Sequence, residues 1–68
     1  MKSLLLTSVD DLPKRMAIDV DRVCSIEEEV DYCLVTYEVN ARLHRYVKVK
    51  DGFDFILHEI DRLNGKES

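Results

Sequence analysis

The chain has 68 residues, 46% of them apolar, and sets ten Lys and Arg against fourteen Asp and Glu for a net charge of -4. That length makes one domain, 1–68, in which only about 60% of the unfolded chain's surface can be buried, so a disulfide, a metal or a partner subunit is expected to supplement the core. One Pro and two Gly argue against a low-complexity chain, the acid excess disfavours nucleic acid and acidic membranes as partners, and no apolar run approaches the roughly 20 residues of a membrane span.

In chain order, SLLLTS (3–8) reads as a strand. Val9 to Pro13 follows as a turn holding Asp10 and Asp11, and Lys14 to Asp19 returns as a second strand. Leu4 to Leu6 is far too short for the apolar region of a secretory signal, about 7 to 15 residues. A cytoplasmic setting with reduced thiols is therefore expected for Cys24 and Cys33, the only two cysteines. With no disulfide in prospect, self-association becomes the favoured supplement to the core.

Asp19 to Arg22 predicts a short turn, and Val23 to Glu28 a third strand with Cys24 and Ile26 on one face. A fourth strand, YCLVTYEV (32–39), and a fifth, 42–49, are predicted to form a hairpin about Asn40 and Ala41, with Val39 opposite Arg42. The closing helix is marked by Phe53, Ile56, Leu57, Ile60 and Leu63 at the spacing of one helical face. Asp51 is its expected N-cap, and Gly65 suits a left-handed stop. Phe55 lies off the apolar stripe. The fold class expected is α+β: an antiparallel, twisted sheet of about five short strands with one C-terminal helix.

YCLVTYEV is apolar on both faces, whereas a strand with water on one side should alternate with polar residues. In the expected register Tyr32, Leu34, Leu43, Val47 and Val49 seat the helix. Cys33, Val35, Tyr37, Val39, Arg42, His44, Tyr46 and Lys48 then form the second face. One helix of about 13 residues is only about 20 Å long and cannot cover both. The second face therefore calls for another subunit, a ligand or partner protein, or a sheet bent over itself as a small barrel. A homo-oligomer is the expectation, with Cys33, Val35, Val39 and Phe55 at its interface.

Residues 39–50 include Arg42, Arg45, Lys48 and Lys50 and no acid, so the carboxylates lie outside this basic segment. Tyr37, Arg42, His44, Tyr46 and Lys48 are the candidate ligand-binding set. Arginine offers forked donors, tyrosine a stacking plane, and histidine a group that donates or accepts near neutral pH. Such a set suits an anionic, nucleotide-like molecule, although long charged side chains also keep an exposed strand soluble.

Cys24, Cys33, His44 and His58 lack the paired spacing of a zinc clamp. The calcium-loop start at Asp19 fails because Cys24 and Val30 stand where glycine and glutamate are required. No metal, no cofactor and no catalytic residue is expected, since no nucleophile elbow or glycine-rich phosphate loop accompanies the histidines. Glu27 to Glu29 reads as the solvated end of the third strand, or else a docking patch for a basic partner.

AIDVDRVCSIEEE, followed by a hairpin and VKDGFDFILHEI, resembles the small flagellar FlbD-type proteins over residues 16 to 63. Asp21, Val23, Ile26, Glu27, Val47, Val49, Phe53, Ile56 and Ile60 carry the likeness. It implies a β-rich, nonenzymatic, flagellum-associated accessory protein. In size and architecture the chain is also similar to phage proteins that sequester signalling nucleotides. The function expected is noncatalytic and regulatory or inhibitory, exerted by occupying a partner protein or an anionic ligand. A nucleotide sponge and a flagellar accessory protein are the alternatives.

Overall fold

The structure, a computed structural model, describes residues 2–65. Five antiparallel strands and one helix follow the expected order: β1 (Ser3–Thr7), β2 (Arg15–Asp19), β3 (Val23–Glu28), β4 (Cys33–Asn40), β5 (Leu43–Val49) and α1 (Phe53–Leu63). A 3-10 turn, Val20–Arg22, joins β2 to β3, and the Asp19 carboxylate caps it by accepting the Asp21 N–H at 3.0 Å. The fold is α+β, as expected.

The strands do not make one continuous sheet. β1 and β2 form a two-stranded sheet, and β3, β4 and β5 a three-stranded one with β4 in the middle. A short seam joins them where Ser8 bridges Val49. There Val9 N–H donates to the Lys48 carbonyl and Lys50 N–H to the Thr7 carbonyl, each at 2.8 Å. Side-chain alternation then decides what the two sheets enclose. Leu4, Leu6 and Ile18 point inward from β1 and β2, while Cys33, Val35 and Val49 point inward from β4 and β5. Ile56 of α1 completes this core, and the helix packs on β1 and β3.

The β1–β2 hairpin therefore shares with the helix the cover of one sheet face, the one that carries Cys33, Val35 and Val49. Val35, expected at a subunit interface, is fully buried in the chain's own core, and Cys33 is buried beside it. Neither can touch another subunit without unfolding. The bent, self-covering arrangement is the one the chain adopts for these two side chains.

The register of β4 and β5 differs from expectation by one residue. Cys33 faces Val49, Val35 faces Val47 and Tyr37 faces Arg45, whereas Val35 was expected opposite Tyr46. The cause lies in the connection. The Asn40 carboxamide accepts the Arg42 N–H at 2.9 Å, which holds Asn40 opposite Leu43 and leaves Val39 as an extra residue where the ladder shifts. A one-residue slip exchanges every side chain between faces. Here it gathers Cys33, Val35, Val47 and Val49 on one side, a cleaner separation of apolar from polar than the expected register would give.

Two further differences share this origin in local hydrogen bonding. The N-cap of α1 is Gly52 rather than Asp51, because the Asp51 carboxylate turns away to accept the Thr7 N–H at 2.7 Å. In β3 an irregularity between Val23 and Ser25 turns Cys24 out to solvent, away from half-buried Ile26. Leu57, expected on the buried helix stripe, lies at its edge and is exposed, as is Phe55. Gly65 does adopt the left-handed conformation, with φ 73°.

Candidate functional site

Strand β5 presents His44, Tyr46 and Lys48 at alternate positions, so all three leave the same, outward face of the sheet. Tyr46 is 68% exposed. Across the ladder these side chains meet Glu38, Thr36 and Leu34 of β4, and β3 adds Ser25 and Glu27 beside Thr36 and Leu34. The ammonium of Lys48 lies 5.0 Å from the centre of the Tyr32 ring, within the range of a cation–π contact.

The candidate set is thus divided. His44, Tyr46 and Lys48 stand together, and Arg42 sits close by in the exposed turn at the end of the hairpin. Tyr37 lies on the opposite face. It is half-buried against the core, as the one-residue change of register requires. Of the expected interface residues, Val39 and Phe55 are exposed but lie on different elements, while Cys33 and Val35 are internal.

Tyr37 and Val39 belong to a second feature that the sequence did not reveal. An open groove of about 250 Å³ runs between β2 and the end of β4, walled by Met16, Ile18, Tyr37 and Val39. Asp19, Arg22 and Glu38 also line it, and Arg22 is fixed there because its guanidinium donates to the Val39 carbonyl at 3.2 Å. The groove exists because, among the described residues, β2 pairs only with β1 while β4 belongs to the sheet with β3 and β5. Pairing of strands so distant in sequence leaves no periodic signal in the residues.

At the other end of the molecule Glu28, Glu29, Asp31 and Asp51 surround a cavity of about 200 Å³ together with Lys50. Cys33 borders this cavity, and burial, then the carboxylates of Glu28 and Asp51, push its thiol above the ordinary 9.0. Among the described residues no group of three His, Cys, Asp or Glu side chains is placed to hold a metal ion, and no helix is long and apolar enough to cross a membrane.

Comparison with protein-family models, with curated proteins and with solved structures gives no match to this chain.

Proposed function

We propose that this protein is a noncatalytic binding module that regulates or inhibits a partner protein by occupying it, and that the outward face of β5 makes the contact. The observation that carries this reading is the exposure of Tyr46 between His44 and Lys48. Covering a large aromatic side chain is worth roughly 1.5–3 kcal/mol. Tyrosine is also among the residues enriched in the energetic centres of protein interfaces. Lys48 and Arg42 would form the rim of such a contact and favour an acidic partner surface.

Two features favour a protein over a small anion as the occupant. The stripe lies on an open sheet face, where Glu38 stands opposite His44 and Glu27 lies nearby, so its positive charge is diluted. The groove beside β2 is an equally poor anion site. Its volume of about 250 Å³ falls below the roughly 300–1,000 Å³ of pockets that enclose drug-sized ligands. Asp19 and Glu38 there oppose whatever anion Arg22 attracts.

A photo-crosslinking residue placed at Tyr46 in the native cells, with Leu12 as an exposed control site, tests the reading. A discrete protein adduct from position 46 and none from position 12 is expected. Tyr46→Ala should weaken binding of the captured protein, in purified form, about tenfold or more. Equal binding by Tyr46→Ala would reject the assignment. A rise in melting temperature with one member of a nucleotide library, lost in Lys48→Ala, would move it to an anionic small molecule.

A further inference from the structure

We infer that β2 is a self-pairing edge, and that a second copy of this chain adds its own β2 antiparallel to it about Ala17. The argument begins with the phase of the β1–β2 ladder. Val20 N–H donates to the Lys2 carbonyl and Ser8 N–H to the Lys14 carbonyl. In an antiparallel pair, facing residues alternate between hydrogen-bonded and non-bonded. Met16 opposite Leu6 and Ile18 opposite Leu4 are then the bonded pairs. Arg15, Ala17 and Asp19 consequently aim their main-chain groups away from β1, along the groove. Among the described residues β2 pairs with no other strand. Arg15 and Ala17 offer both N–H and C=O there, and Asp19 offers its N–H while its carbonyl begins the 3-10 turn.

An open edge invites another strand, and native proteins usually blunt such an edge with charge, Pro or a bulge. This one has alanine at its centre. A two-fold axis through Ala17 makes the edge complementary to itself. Ala17 meets Ala17 of the second copy, and Arg15 meets Asp19 of the second copy, twice by symmetry. The residues thus brought face to face are the ones whose main-chain groups are free, so the hydrogen-bonding phase and the charge pairing agree on one register. Among the described residues Arg15 makes no ion pair, and Asp19 uses Oδ1 on the Asp21 N–H. On the outward side Leu5, 56% exposed and directly opposite Ala17 in β1, would run into a four-strand row with its own counterpart. On the inward side Met16 would lie beside Ile18 of the second copy and close the groove over Tyr37. This pairing is independent of the contact assigned to β5.

Sedimentation of the full chain at micromolar to millimolar concentration, with charge exchange, tests it. A dimer of the 7.9 kDa chain is expected. Arg15→Asp alone or Asp19→Arg alone should raise its dissociation constant about tenfold or more, and the double exchange should restore it, since only the combination recreates opposite charges across the axis. Asp19→Arg also removes a turn cap, so Ala17→Cys in a Cys24→Ser background gives a readout free of that effect. The bonded pair spacing of about 5.5 Å suits a disulfide, and rapid oxidative crosslinking is expected. A wild-type chain that stays monomeric throughout, a dimer indifferent to both charge reversals, or an uncrosslinked Ala17→Cys chain would overturn the inference.

Discussion

The β1–β2 and β4–β5 hairpins are built by the same alternation and play opposite parts. β4 is paired on both edges and forms the floor of the core, with Val35 fully buried at its centre. The β1–β2 hairpin is a lid: Leu4 and Leu6 reach down to that floor, while Leu5 between them faces water. It is tied to the floor by the Ser8–Val49 seam and by the Asp51 carboxylate. The contrast teaches that an apolar strand face, here the Cys33–Val35 face of β4, does not by itself demand a second chain, while the opposite face with Leu34 and Thr36 stays on the open side of the sheet. A hairpin from the same chain can supply the cover, provided something anchors it.

The most direct way to break the contrast is to remove the lid's reach into the core. Leu6→Ala should cost about 2–5 kcal/mol, the range for emptying a fully buried leucine site. Most of the stability of a domain this small, roughly 3–10 kcal/mol, would go with it. Leu5→Ala, one residue away on the outward face, should change chain stability by no more than about 0.5 kcal/mol. Urea denaturation of both variants checks the pair. Comparable losses would mean that the alternation along β1 does not govern packing.

Cutting the anchor is the next largest effect. The Asp51 carboxylate receives the Thr7 N–H across 44 residues of sequence, in a partly buried position. Asp51→Ala leaves that donor without its partner and should cost about 1–3 kcal/mol. At about 4–8 °C per kcal/mol for a domain of this size, the melting temperature should fall by roughly 4–24 °C. A melting temperature within about 2 °C of wild type would show that water replaces the carboxylate without loss.

How far these parts can be read from the residues depends on how local their causes are. The helix at Phe53–Leu63 follows from a 3.6-residue period, and the five strands from short runs between turn residues; both are local signals. The hairpin register failed because a single side-chain bond, Asn40 to the Arg42 N–H, moved the turn by one residue. Asp51 was misread for the same reason: nothing in VKDGFDF reveals that its carboxylate is wanted by Thr7 at the far end of the chain. For the candidate site, the triplet His44, Tyr46 and Lys48 was legible because residues two apart share a face in any register. Tyr37 was not. Its side depends on the register, and the groove it lines depends on which strands stay unpaired.

The smallest effect uses the two cysteines to sharpen the comparison, since they report on opposite surfaces of the same sheet. Cys24 is exposed and Cys33 is buried in the core that the lid helps to close. Burial holds the Cys33 thiol above its ordinary 9.0, with Glu28 and Asp51 adding to the effect. Well below pH 9 the thiol is protonated in both folded and unfolded chains and contributes no pH dependence. As pH rises past 9, the unfolded chain loses this proton before the folded chain does, so folding stability should decline. Cys33→Ala should remove that part of the alkaline slope, while Cys24→Ala should leave it, as measured by urea denaturation between pH 8 and pH 10. Thiol labelling near pH 8 gives the kinetic counterpart. Cys24 should react at once and Cys33 only as fast as the lid opens. Asp51→Ala should therefore accelerate labelling of Cys33 and leave Cys24 unchanged. If Cys33 labelled as quickly as Cys24 in the wild-type chain, the β1–β2 hairpin would not be a closed cover over β4.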